Sequence, residues 1–180
     1  MAERGGTHIW SMRALYAGLC LLVLFLQLLP LNTLARVWAV PDLMLLITFA
    51  WALRRPEYVP AGLVALIFLL ADLLLQRPPG LWAALVLVGT ETLKARAPGL
   101  RDLTFPAEWL TMAATLVSVT LAFRVILTLM LVPQAPLGLS LFQLLATLAA
   151  YPLVVLASRW LFGIHKRAPG EFGGLKRQRP

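Results

Sequence analysis

Ala14 to Leu31 is an unbroken uncharged run, and five further apolar runs follow it at short intervals. About 20 such residues cross the roughly 30 Å of bilayer hydrocarbon. In lipid a segment must satisfy its own backbone amides, so runs of this kind read as helices. A soluble core could not absorb them. Of 180 residues, 60% are hydrophobic and 13% charged, with a mean hydropathy of +0.81, more apolar surface than one soluble domain of this length buries. The expected fold class is an all-α polytopic membrane protein, a compact bundle of six transmembrane helices.

The expected spans are about 14–31, 41–53, 59–75, 81–93, 108–132 and 137–162, with a polar tail at 1–13 and a basic tail at 163–180. The first run is longer than a usual signal core and no small-residue cleavage site follows it promptly, so it reads as an uncleaved span. Pro41 suits a first helical turn and Asp42 the positive end of the helix dipole. Spans two and four are short; 13 residues reach only about 20 Å, so their ends need shielding by neighbours. Small residues four apart (Ala61 and Ala65; Ala114, Ser118 and Ala122; Ala146 and Ala150) would allow close helix approach.

Charge sets the orientation. The net charge of +8 does not mark a nucleic-acid protein, because the basic residues sit at the ends of apolar runs rather than on one soluble face. One set of polar segments holds Arg4, Arg13, Arg54, Arg55, Lys94, Arg96, Arg101, Arg159, Lys166, Arg167, Lys176, Arg177 and Arg179; the other holds Arg36 and Arg77. By the positive-inside rule both termini are cytoplasmic. Arg54, Arg55, Lys94, Arg96, Arg101, Lys166 and Arg167 form an expected cytoplasmic basic surface that meets anionic membrane lipids.

The polar residues inside apolar runs are the candidates for function. Asp72 lies near the end of span three, at the unfavourable negative end of its own helix dipole, so something must compensate it. It caps the following turn or meets interfacial water, pairs with Arg77 or Arg124, or serves as a ligand or proton site. Arg124, inside span five, snorkels to headgroups or bridges to Asp72 or Asp42. Pro78, Pro79 and Gly80 make a stiff corner in which Gly80 can take a positive φ. Pro152 is expected to kink span six. Glu91 and Lys94 are placed for an i,i+3 pair.

No G-x-S-x-G, H-E-x-x-H, phosphate-binding glycine loop or Cys/His cluster occurs in the sequence, and Cys20 is the single cysteine. No cofactor, metal or enzymatic activity is expected.

One series of short motifs runs in order through the chain: Pro41-Asp42-Leu43-Met44-Leu45-Leu46, Arg55-Pro56, Gly62, Asp72-Leu73, Gly80-Leu81 and Pro152. With the six-span pattern, it resembles the MreD family, the rod shape-determining inner-membrane proteins of bacteria. The likeness covers roughly Val37 to Trp160 and is best across Pro41 to Glu91. The family often has glycine four residues before and after the aspartate, where this chain has Phe68 and Gln76. The resemblance implies a non-enzymatic subunit of the cell-elongation machinery that binds MreC and links MreB filaments and RodZ to RodA and its class B penicillin-binding transpeptidase. The family's likeness to substrate-binding subunits of vitamin transporters implies a second reading, a small-molecule or lipid-binding subunit with Asp72 and Arg124 lining a polar cavity.

Overall fold

Leu43–Arg54 is buried on nearly every side, from Met44 to Arg54 with the exception of Ile47, and the rest of the molecule is arranged round it. A helix that is apolar all round belongs inside a bundle. The computed structural model describes residues 2–29, 40–100 and 104–162. They form α1 (Ala2–Leu28), α2 (Leu43–Arg54), a single 3-10 turn (Pro56–Tyr58), α3 (Ala61–Leu74), α4 (Leu81–Arg96), α5 (Phe105–Leu129) and α6 (Leu137–Phe162). Central α2 packs on α1, α4 and α6; α3 and α4 make a tight hairpin, and α4 continues the packing onto α5.

Local chemistry sets the helix ends. Asp42 caps α2, its Oδ1 accepting the Leu45 amide at 3.0 Å. Arg55 leaves the helical region (φ −143°), as the residue before Pro56 must. Both α3 and α5 end in a left-handed residue, Gln76 (φ 54°) and Leu131 (φ 56°). The next amides turn back: Arg77 N–H reaches the Asp72 carbonyl at 2.9 Å, and Val132 N–H the Leu127 carbonyl at 3.0 Å. These are paired-bond C-caps of the kind glycine usually makes. Prolines then bar further helix, at Pro78-Pro79 and at Pro133.

Three helical stretches, Thr7–Leu28, Phe105–Leu129 and Leu137–Trp160, are long and apolar enough to cross a membrane; Leu43–Arg54 and Ala61–Leu74 are shorter apolar helices. Leucines of α1, α3, α5 and α6, among them Leu22, Leu66, Leu121, Leu145 and Leu153, lie exposed. A contiguous apolar exterior of that extent suits lipid rather than water.

Several expectations change. α1 starts at Ala2, inside the stretch expected to be a polar tail. No proline interrupts it, and its first half is tied down: Arg13 Nε donates to the Glu57 carbonyl at 3.0 Å, and His8 Nε2 lies 3.4 Å from the Tyr58 hydroxyl. α4 runs on to Arg96, while α5 is shifted three residues toward the N-terminus of the expected span. α6 alone keeps both expected bounds, Leu137–Phe162, with Pro152 inside it. Gly89, which the sequence did not single out, stands at a close helix approach. A Cβ there would stand 2.9 Å from Val119 Cγ2 and 3.2 Å from Phe49 Cζ, so a side chain at this position would force those neighbours on α5 and α2 to shift. Ala61, Ala114 and Ser118 are exposed.

Arg54 departs furthest from expectation. It is 9% exposed, not part of a basic surface. Its Nε and Nη2 both meet Glu108 Oε1 at 3.1 Å, and the Tyr151 hydroxyl donates to the same oxygen at 3.0 Å. α2 thereby joins α5 and α6 at one end of the bundle. The dipoles favour the pair, since Arg54 ends its helix and Glu108 begins its own. Arg55 lies 3.6 Å from Glu57, and Lys94 donates to Glu91 at 2.8 Å. Arg96 remains exposed; Arg101, Lys166 and Arg167 lie outside the described residues.

Candidate functional site: a polar cavity at the α3–α4 turn

Asp72 is fully buried and faces the turn that follows it. Its Oδ2 accepts the amides of Gly80 and Ala83, each at 3.1 Å. These are the N-cap residue and the third residue of α4, so the carboxylate satisfies two donors that a helix start leaves open and sits at the positive end of α4's dipole. Its own helix disfavours the charge and the next helix favours it. Gly80 takes φ 83°, which turns its amide toward the carboxylate. Capping is therefore the alternative the structure contains, and neither arginine bonds to Asp72. Arg77 lies over the Trp82 ring, 5.6 Å from its centroid.

Arg124 is spent on the other turn at the same end. It donates to the Ser140 hydroxyl and, at 3.2 Å, to the Ala135 carbonyl. Gln134 Nε2 returns bonds to the Arg124 carbonyl (3.1 Å) and to Thr128 Oγ1 (2.9 Å). The expected bridges from Arg124 to Asp72 or Asp42 do not form: its eleven-residue reach to Ala135 ties α5 to the start of α6 instead. Asp42 is likewise committed, with its carboxylate on Leu45 and its backbone amide donating to Thr147 Oγ1 at 3.1 Å.

These groups surround a cavity of about 420 Å³, within the size range of small-ligand sites. Its polar wall is Asp42, Gln76, Arg77, Thr120, Arg124, Gln134, Ser140, Gln143 and Thr147. Its apolar wall includes Leu45, Trp82, Leu116, Phe123, Leu127 and Leu144. Of the expected site residues, Asp42, Arg77, Pro78 and Arg124 come together here. Asp72 does not line the space, so a cavity built on Asp72 and Arg124 together is not what the fold makes. Asp72 positions the turn that carries Gln76, Arg77 and Pro78 to the rim.

Sequence reasoning missed Thr147, Gln143, Ser140 and Gln134, which are ordinary polar residues in or beside apolar runs. It also missed Glu108 and Tyr151 as partners of Arg54. The available signal was an acid in the first turn of a long apolar run, and it could not name a partner 54 residues away. Among the described residues no group of three or more His, Cys, Asp or Glu side chains is placed to hold a metal ion. Comparison with protein-family models, with curated proteins and with solved structures finds no match.

Proposed function

We propose that the chain is a multi-pass protein of the bacterial inner membrane that acts, without catalysis of its own, as a scaffold of the cell-elongation complex. In this reading all six helices lie in the bilayer and both termini face the cytoplasm. The partners are MreC first, then RodA with its class B penicillin-binding transpeptidase, RodZ and MreB. The support is the ordered series of residues that resembles MreD, and one observation carries it. Asp42 and Asp72-Gly80, separate members of that series, cap two helices at the same end of the bundle, so these members of it share one capped rim. Arg13, Arg55, Lys94 and Arg96 lie on segments at the opposite end, which supports the orientation by the positive-inside rule. From Met44 onward α2 is covered by its neighbours except at Ile47, so its 12 residues are compatible with a bundle interior.

Depletion in a rod-shaped host tests the reading. Cells should round up, and tagged protein should retain MreC during purification in mild detergent. Unchanged rod shape together with loss of uptake of a defined solute would favour the transporter-subunit reading, for which the cavity is the specific support.

A further inference from the structure

The cavity wall is electrically unbalanced. It carries two arginines and one aspartate, and the aspartate is occupied in capping α2. Arg124 has neutral acceptors, a hydroxyl and a carbonyl; Arg77 stacks on Trp82 and lies within electrostatic reach of Asp42 and Asp72 without a direct ion pair to either, so Arg124 is the charge left unbalanced. A guanidinium has five N–H donors, so Arg124 keeps donors beyond the two in use. The N-termini of α2, α4 and α6 all begin at this end; Asp42 and Asp72 already occupy those of α2 and α4, so the positive dipole end left to a ligand is that of α6. An anion is the complement of this site.

A second space identifies what kind of anion. A groove of about 460 Å³ runs along α5 and α6 and shares Thr120, Arg124, Ser140 and Leu144 with the cavity. Away from that shared wall it is lined almost wholly by aliphatic side chains, Leu121, Val125, Leu129 and Leu141 among them, and these are exposed on the outside of the bundle. A soluble anion would fill the cavity and leave the groove. An acyl chain would fill the groove and leave the arginines. A molecule with a phosphate joined to a hydrocarbon chain satisfies both, and Arg124 stands at the join. We infer that this end of the bundle binds an anionic phospholipid, its phosphate headgroup held by Arg124 and Arg77 in the cavity and an acyl chain laid in the α5–α6 groove. Arginine pairs with phosphate oxygens through charge-assisted, often bidentate hydrogen bonds.

The inference rests on the chain lying in a bilayer and not on the scaffold reading, which stands or falls on cell shape and MreC retention. The full chain, delipidated in mild detergent, is titrated with phosphatidylglycerol, phosphatidylcholine or inorganic phosphate, with bound lipid read by native mass spectrometry and stabilisation by thermal unfolding. Phosphatidylglycerol should be retained in preference to phosphatidylcholine. R124Q should weaken that retention about tenfold, the equivalent of one charge-assisted hydrogen bond. R77Q, which leaves the α5–α6 turn untouched, should weaken it in the same direction. L141W, on an exposed position of the groove, should lower phosphatidylglycerol binding and leave any response to inorganic phosphate unchanged. Equal retention of the two lipids by the unaltered protein overturns the proposal, as does a preference that survives both R77Q and L141W. Stabilisation by inorganic phosphate equal to that by phosphatidylglycerol, unaffected by L141W, would make it a free-anion site and overturn the lipid.

Discussion

The Asp72 carboxylate stands 3.1 Å from the amide nitrogen of Ala83, eleven residues downstream and on the next helix. That bond and its twin to Gly80 close the α3–α4 hairpin from inside. The acid that most suggested chemistry thus serves the backbone, and the turn it fixes carries Arg77, one of the two arginines on the cavity wall.

Asp72→Ala should lower stability in detergent by about 1–2 kcal/mol, since two helix-start amides lose their acceptor. Asp72→Asn keeps an acceptor oxygen and should cost clearly less. An exchange of charge between positions 72 and 124 should give no rescue. Thermal unfolding of the three variants checks this; equal losses for Ala and Asn would point to the charge rather than the cap.

The Arg54–Glu108 pair, with side chains 8% and 1% exposed, should be the most sensitive polar contact in the molecule. Removing either partner alone leaves a buried charge, at a cost of about 3–5 kcal/mol. Arg54→Met and Glu108→Leu together should cost less than the sum of the single changes. A double-mutant cycle reads the coupling, and additive losses would rule out a working pair.

Gln76 and Leu131 hold left-handed conformations that side chains with a Cβ resist by about 1–2 kcal/mol, against roughly 0.5–1 kcal/mol of extra chain entropy for glycine. Gln76→Gly and Leu131→Gly should each raise stability slightly, by up to about 1 kcal/mol. The first puts glycine where the resemblance leads one to expect it. A fall in melting temperature for both would contradict the turn geometry.

Gly89→Ala should destabilise by about 1–3 kcal/mol, as overpacking does, because the new methyl would lie 2.9 Å from Val119 Cγ2 on a stiff, branched side chain. Gly89→Ala with Val119→Ala should recover part of the loss. Gly62→Ala, with nothing within 4 Å of the new Cβ, is the control and should not destabilise. Chemical unfolding in mixed micelles compares the three.

The sequence by itself determined the helices. Apolar runs, capping residues such as Asp42 and the prolines after Arg55, Arg77 and Val132 act within a few residues of where they stand, so their effects can be read from the chain. Helix order and the stiffness of the Pro78-Pro79-Gly80 corner follow from the same local rules. Only the tertiary structure decided which charges meet. Arg54 and Arg55 are neighbours of the same type, yet one is buried on Glu108 and the other lies near Glu57 at the surface, because a helix face is set by packing and not by composition. Asp72 and Arg124 looked like partners because both are charges in lipid-soluble runs, but each found polar groups at its own turn. A backbone amide at a helix start neutralises an acid without any residue type to announce it, and a cavity is a space between elements that no single stretch of sequence encodes.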